Sequence, residues 1–173
     1  MLTKINPTNI IKQHFDTLYD NRNEKISLGD IIFFFILPLI VSFILVLFKK
    51  ELGSSADSLL VSLSIFTPLL LSLLVLIYEM GQKASDKFHN ETFYGDYYDH
   101  INKLKEITAN ISFSILLSII SIIVLVLYSL NLSTDIYYIS VLNGAIYYFV
   151  GVFCLTLLMI LKRTHKLISD SLE

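Results

Sequence analysis

Ionisable side chains are scarce in this chain and are missing from its apolar parts. Only 16% of the 173 residues are Asp, Glu, Lys or Arg, whereas 54% are hydrophobic and the mean hydropathy is +0.67. No ionisable side chain lies in the middle of four long apolar stretches, residues 31–48, 58–78, 107–134 and 136–161. At bilayer depth such groups usually form proton relays, ion-coupling sites or catalytic sites. Their absence argues against a proton-coupled transporter and against an intramembrane hydrolase.

Cysteine and catalytic motifs are equally sparse. Cys154 is the only cysteine, which excludes a disulfide framework and a cysteine-based metal site. The sequence has no HExxH pair, no GxSxG elbow and no phosphate-binding glycine loop. A metal site, or an enzyme acting on lipids, would depend on one polar cluster: His89, Glu91, Asp96, Asp99 and His100. Because this cluster lacks a compact ligand motif, the sequence favours a solvated face, no enzyme, no metal and no cofactor.

The four apolar stretches have the length of membrane-spanning helices. About 20 apolar residues cross a hydrocarbon core of about 30 Å, and each stretch is close to or above that length. Hydrocarbon cannot hydrogen-bond to backbone groups, so segments of this kind must be helical. The sequence therefore predicts an all-α integral membrane protein with four transmembrane helices in two hairpins. Because the first 30 residues are polar, no cleavable signal peptide is expected.

The distribution of basic residues predicts the orientation. Eleven of the 13 Lys and Arg residues lie in the N-terminal, central and C-terminal polar segments, and two lie in the first hairpin loop. The positive-inside rule then places both termini in the cytoplasm. The predicted divisions are a cytoplasmic amphipathic segment at 1–29, a hairpin at 30–79, cytoplasmic connecting helices at 80–106, a second hairpin at 107–161 and a basic tail at 162–173.

The polar segments also contain helical patterns. After Asn6 and Pro7, which are typical of a helix start, an amphipathic helix is predicted that either lies on the inner membrane face or packs beneath the bundle. Its apolar face is formed by Ile10, Ile11, Phe15, Leu18 and Tyr19. In the central segment, Gly95 is predicted to separate two helical extensions. The aromatic residues between Phe88 and Tyr98 either pack these extensions together or form a surface for a cytoplasmic partner.

Small polar residues form a stripe on the third apolar stretch. Asn110, Ser114, Ser118 and Ser121 are spaced at i, i+4, i+8 and i+11, which places them on one helix face. A second stripe on the fourth stretch contains small residues and one tyrosine: Ser140, Gly144, Tyr147, Gly151 and Cys154. Such stripes either allow close helix packing in lipid or line a water-filled pore. One chain of this size is too small to enclose a pore, so the pore hypothesis requires a symmetric homo-oligomer.

Four segments resemble a family of small four-helix membrane proteins from bacterial anti-phage defence loci. They are ISLGDIIFFFILPL (26–39), SLSIFTPLLLSLLVLIYE (62–79), LKEITANISFSIL (104–116) and LTLLMILKRTH (155–165). Within that group the chain is similar to the membrane effector of Hailong-type systems, with a Kiwa-type membrane subunit as the alternative. The resemblance implies a homo-oligomeric channel, a tetramer, that opens on infection and depolarises the cytoplasmic membrane. In the Hailong case the implied ligand is a single-stranded oligonucleotide made by a partner nucleotidyltransferase.

The candidate contacts for a polyanionic ligand are basic residues of the central segment and tail: Lys83, Lys87, Lys103, Lys105, Lys162, Arg163 and Lys166. Phosphate chains are bound largely through such charges. The alternative is that these residues only reflect the positive-inside bias, and nearby acidic residues offset much of their charge. The sequence thus favours a ligand-gated pore-forming defence effector, and the alternative is a non-conducting scaffold that recruits a cytoplasmic partner.

Overall fold

The computed structural model describes residues 7–20, 25–26, 29, 32–48, 52–53, 55–88, 94–130 and 135–172. It is almost entirely helical. The helices are α1 (Thr8–Asp16), α2 (Leu37–Leu47), α3 (Ser55–Phe88), α4 (Tyr94–Ser129) and α5 (Ile136–Leu172). A π-helical segment, Ile32–Ile36, leads into α2. The two-residue strands β1 (Tyr19–Asp20) and β2 (Lys25–Ile26) pair antiparallel between α1 and the π-helical segment.

Three of these helices are long and apolar enough to cross a membrane. The qualifying segments are Ser55–Ser85, His100–Ser129 and Ile136–Ser169, from α3, α4 and α5. The first apolar stretch gives only a shorter helical segment among the described residues, Ile32–Leu47. At about 1.5 Å per residue this segment spans roughly 24 Å. The all-helical class is therefore confirmed, together with three helices of spanning length and one shorter apolar helix.

Pro38 explains why the first apolar helix is irregular. Proline lacks the backbone N–H that would close a helical turn, and its ring clashes with the carbonyl group four residues earlier. The π-helical turn at Ile32–Ile36 ends directly before α2, where Pro38 occupies the first turn. Pro68, by contrast, lies inside α3, which continues through it as one helix.

Helix α4 is the centre of the bundle. It packs against α3 on one side and α5 on the other, whereas α2 packs on α5 and α1 packs across α4. The most deeply buried apolar side chains belong to α4 and α5, and include Ile107, Ile111, Leu125, Ile146 and Val152. We refer to the end of the bundle where α1 meets the start of α4 and the last part of α5 as the α1 end.

Glycines of α5 allow α2 to approach closely. A Cβ atom on Gly151 would lie 3.1 Å from Cβ of Pro38, and one on Gly144 would lie 3.3 Å from a methyl carbon of Val46. The Ser42 hydroxyl donates a hydrogen bond of 2.6 Å to the Gly144 carbonyl. Small residues and hydroxyl groups of this kind are typical of helix contacts in lipid. Gly144 and Gly151 of the second stripe therefore pack against α2, whereas Cys154 at its end is exposed.

The two helical extensions predicted for the central segment are the last part of α3 and the first part of α4. The predicted position of their boundary is wrong, because Gly95 lies in the first turn of α4; residues 89–93 lie outside the described part. On the predicted apolar face of α1, Phe15 is 37% exposed, whereas Leu18, shortly after the helix, is buried. His14, which was not assigned to that face, is also buried, and its side chain contacts Asn110 of α4.

Candidate functional site: a polar seam and its cap

The stripe on α4 lies in the interior of the single chain. Asn110, Ser114, Ser118 and Ser121 have no exposed surface at all, and we call these four residues the polar seam. Eleven residues separate its ends, which corresponds to roughly 16 Å along the helix. Beyond it, the next fully buried side chain on α4 is Leu125, an apolar residue. The seam is thus a buried polar path that begins near the α1 end and stops partway along the bundle.

A hydrogen bond joins the seam to α3 at its middle. The Thr67 hydroxyl lies 2.9 Å from Oγ of Ser118, and the Ser118 hydroxyl donates to the Ile115 carbonyl of its own helix at 2.7 Å. Ser121 also donates within α4, to the Leu117 carbonyl at 2.8 Å. The Thr67–Ser118 contact is possible because both side chains are small enough for α3 and α4 to approach.

Other polar atoms of the seam have no hydrogen-bond partner among the described residues. These atoms are Oγ of Ser114 and Nδ2 of Asn110, both completely buried. An unsatisfied buried polar group costs about 1–3 kcal/mol, so alanine at position 114 would pack the same helices without the cost of the unpartnered hydroxyl. The seam is therefore more polar than packing alone requires.

The burial of the seam within one chain helps to distinguish its two interpretations, helix packing and pore lining. In this conformation the four side chains pack between helices of the same chain, as the packing interpretation requires. They do not face the outer surface, where an axis between copies would lie. The assignment of the seam as pore-lining stays a prediction, and it requires the helices around α4 to separate.

His14 of α1 covers the seam at its α1 end. Its Nδ1 lies 2.8 Å from Oδ1 of Asn110, so Nδ1 carries the proton when the amide oxygen faces the ring. The Thr17 hydroxyl lies 3.0 Å from the same amide oxygen and 2.7 Å from the His14 carbonyl. The first residue of the seam is thus bound by two side chains from the N-terminal segment.

An aromatic shell surrounds this polar contact. The His14 ring stacks on Phe113, with ring centroids 3.8 Å apart and planes 9° apart. Phe35 meets the same ring edge-on at 6.3 Å and stacks on Phe15 at 5.1 Å. Because the shell excludes water, the hydrogen bond between His14 and Asn110 lies in a medium of low polarity, where it is stronger than in solvent.

Arg163 ties the three helices together at this end. One guanidinium nitrogen donates to the Thr17 carbonyl at 2.6 Å, and the other lies 3.2 Å from a carboxylate oxygen of Glu106. The arginine therefore connects α5 to α4 and to the residue that follows α1. We call His14, Thr17, Glu106, Asn110 and Arg163 the cap network. Arg163 was predicted to bind an anionic ligand, but here its guanidinium bonds within the chain.

The other predicted ligand-binding residues differ in how exposed their side chains are to solvent. Four lysines are exposed on the outer faces of α3, α4 and α5: Lys83, Lys105, Lys162 and Lys166. Lys103 is half-buried and already has an interaction within the chain. The side chain of Lys87 lies outside the described residues. Exposure leaves the four lysines accessible to a ligand, and their role stays a prediction.

The polar cluster considered for a metal lies partly outside the described residues. His89 and Glu91 are not described, and neither are the side chains of Asp96 and Asp99. Within the part of the chain that the structure covers, no three His, Cys, Asp or Glu residues come together in a way that could hold a metal ion.

A cleft of about 710 Å³ lies between α1, α3 and the start of α4. Its floor is apolar, with Ile77 and Leu104 both buried, and its rim is polar, with Asp16 and Lys105. We call it the α1 cleft. Neither this cleft nor the cap network was predicted from the sequence. The sequence feature that could have indicated the cap network is His14, a histidine beside the apolar face of an amphipathic helix.

The cap network should depend on pH through His14. Burial, together with the positive charge of Arg163, lowers the pKa of His14 from 6.5 to about 4, although its bond to Asn110 acts in the opposite direction. The docked state therefore favours neutral histidine. Its stability is fully present above pH 6.5 and is lost as pH falls from 6.5 towards 4. At pH 4.5 the loss should be about 2–3 kcal/mol, taking about 1.4 kcal/mol per pKa unit.

Hydrogen exchange at the backbone amides of residues 8–16 measures this effect in nanodiscs. Between pH 7 and 4.5, after correction for intrinsic rates, we expect protection of α1 to fall in the wild type. His14→Phe keeps an aromatic ring on Phe113 but cannot be protonated, so the fall should be absent in that variant. An equal fall in both proteins would show that carboxyl groups, and not His14, control the docking of α1.

No family model, no curated protein and no solved structure matches this chain. The interpretation of the site therefore depends on its own residues and geometry.

Proposed function

We propose that this chain is the subunit of a gated pore in the bacterial cytoplasmic membrane. The observation that carries the proposal is the polar seam, which lies buried in an otherwise apolar bundle and is covered at one end by α1. The three long helices and the shorter segment that contains α2 are its four membrane spans. The positive-inside distribution of Lys and Arg places the α1 end, with both termini, in the cytoplasm.

The seam is the closed form of a conducting path. Its unpartnered hydroxyl and amide groups favour a state in which the helices separate and water reaches them, because water would satisfy those groups. Opposing this, the bundle loses helix contacts when it opens. Leu125, which follows the seam on α4, provides an apolar constriction of the kind that prevents conduction by excluding water.

Helix α1 acts as the gate of this path. It contains only nine residues, too few for an isolated helix to be stable in water, so it stays in place through its contacts with α4 and Arg163. A cytoplasmic ligand that draws α1 or Arg163 away would uncover Asn110. The exposed lysines at this end suit a polyanion such as a single-stranded oligonucleotide.

The resemblance to anti-phage membrane effectors suggests when such a pore would open. A homo-oligomer, a tetramer as the resemblance implies, would stay closed until infection and then depolarise the membrane. Its large outer surface supports contact with lipid and with other copies, because bulky apolar side chains are exposed along α2 and α3, among them Phe43, Leu47, Phe48, Leu69 and Val75.

A non-conducting scaffold is the second candidate function. It is favoured by the complete burial of the seam within one chain, since a packing role needs no opening. In this alternative, α1 and the residues after α3 recruit a cytoplasmic partner, and the membrane helices serve only as an anchor.

Ion flux in liposomes distinguishes the two functions. We expect His14→Ala to release α1, because it removes both the hydrogen bond to Asn110 and the ring that stacks on Phe113. Potential-driven flux should rise about tenfold or more over the wild type, since α1 docking loses at least about 1.4 kcal/mol. Lys12→Ala makes the same substitution type on the exposed face of α1 and should leave flux unchanged. Absence of flux from all three proteins at correct insertion would favour the scaffold.

A further inference from the structure

The α1 cleft has the form of a binding site for an amphiphilic molecule. Its volume of about 710 Å³ falls in the range of small-molecule sites, about 300–1,000 Å³. Ile77 and Leu104 at its floor are 3% and 4% exposed, so they form a fixed apolar surface. Tyr78, at the rim, is the type of residue that marks the boundary between hydrocarbon and water.

Gly81 indicates that the space in the cleft is retained for an occupant. It lies inside α3, where glycine is less favourable than alanine by about 0.8–1.0 kcal/mol. Its backbone is helical, and a Cβ atom added to it would meet nothing within 4 Å. Neither backbone conformation nor helix packing therefore explains a glycine here. A side chain at this position would instead project into the α1 cleft, whose wall includes Gly81.

The charges at the rim select the type of headgroup. Asp16 of α1 and Glu106 of α4 carry negative charge, and Lys105 carries positive charge at the same cleft. Arg163 pairs with Glu106, which leaves Asp16 as the acidic group contributed by α1. A headgroup with an ammonium and a phosphate matches this arrangement, because Asp16 attracts the ammonium and Lys105 attracts the phosphate. A headgroup with only negative charge would be repelled by Asp16.

We propose that the α1 cleft binds a phospholipid with an ethanolamine headgroup from the cytoplasmic leaflet. One acyl chain lies on Ile77 and Leu104, and the headgroup lies between Asp16 and Lys105. Because α1 forms one wall and α3 the opposite wall, the bound lipid joins the gate to the bundle and holds it docked. The inference rests on the membrane location in the proposed function and not on conduction.

Native mass spectrometry of the full-length oligomer, with phosphatidylethanolamine and phosphatidylglycerol of identical acyl chains, tests the site. We expect the wild type to retain the ethanolamine lipid about fivefold more strongly, which corresponds to about 1 kcal/mol. Gly81→Phe should fill the cleft and remove this preference. Gly81→Ala is the matched control, because it adds only a methyl group in open space and should keep the preference.

Asp16→Lys provides a second variant at an exposed position that does not depend on filling the cleft. It should reverse the preference towards phosphatidylglycerol, because a lysine at position 16 repels the ammonium of the ethanolamine headgroup and attracts an anionic headgroup. Equal binding of both lipids to the wild type, or a preference unchanged in both Gly81→Phe and Asp16→Lys, would overturn the inference. Neither result involves ion flux, so a failure of the lipid site is distinguishable from a failure of the pore.

Discussion

Phenylalanine in place of Ser118 is expected to destabilise the contact between α3 and α4 and, in the proposed pore, to abolish conduction. Ser118 has no exposed surface, and its oxygen lies 2.9 Å from the Thr67 hydroxyl. A phenyl ring cannot occupy that space unless the two helices move apart. Overpacking of a buried site typically costs about 1–3 kcal/mol, and the upper part of this range applies because two helix backbones must shift. We expect the solubilised protein to aggregate at a lower temperature than the wild type, measured by size-exclusion chromatography after heating.

Two control variants show whether the effect of Ser118→Phe comes from added bulk at the contact between α3 and α4. Ile119→Phe makes a change of similar type at the next residue, which is 45% exposed, and should leave stability and flux unchanged. Ser118→Ala removes only the hydroxyl, and a hydrogen bond between membrane helices is worth about 0.6 kcal/mol on average. If Ser118→Phe instead assembles as stably as the wild type but conducts less, Ser118 faces a water-filled space and not Thr67.

The helical fold could be predicted because each helix is determined by the residues of its own segment. Each long helix follows from a run of apolar residues without ionisable groups, and α3, α4 and α5 all have spanning length as expected. Among the described residues the first apolar stretch gives the shorter segment Ile32–Leu47, and composition does not report its irregular start, a π-helical turn that precedes Pro38. The break between α3 and α4 was expected at Gly95, but a glycine in the first turn of a helix need not interrupt it.

The candidate site could be predicted only in part because it is formed by tertiary contacts between distant segments of the chain. Spacing alone places Asn110 and Ser118 on one helix face, but it does not say whether that face meets another helix or an oligomer axis. The residues that meet in the cap network are distant in sequence: His14 and Asn110 are separated by 96 residues, and Arg163 and Thr17 by 146. Charge counting likewise assigned Arg163 to a ligand, whereas the packing of α5 directs it to Glu106.

Leucine in place of Asn110 is expected to release α1. The amide oxygen is the acceptor for His14 and also lies within bonding distance of the Thr17 hydroxyl. Thr17 can still donate to the His14 carbonyl, but Nδ1 of His14 would remain buried without its acceptor. That loss costs about 1–3 kcal/mol, which raises the undocked population by roughly 30-fold for about 2 kcal/mol.

Spin labels on exposed positions 9 and 105, in a Cys154→Ala background, would report the loss as a broadened distance distribution between α1 and α4. Asn102→Leu makes the same substitution at an exposed position of α4 and should keep the narrow distribution. Flux through the same preparations then separates the two functions. In a gated pore, Asn110→Leu releases α1 and raises basal flux, because the first residue of the seam is uncovered. In a scaffold, the same variant releases α1 while flux stays at the background of empty liposomes, so α1 would hold a partner and not a gate.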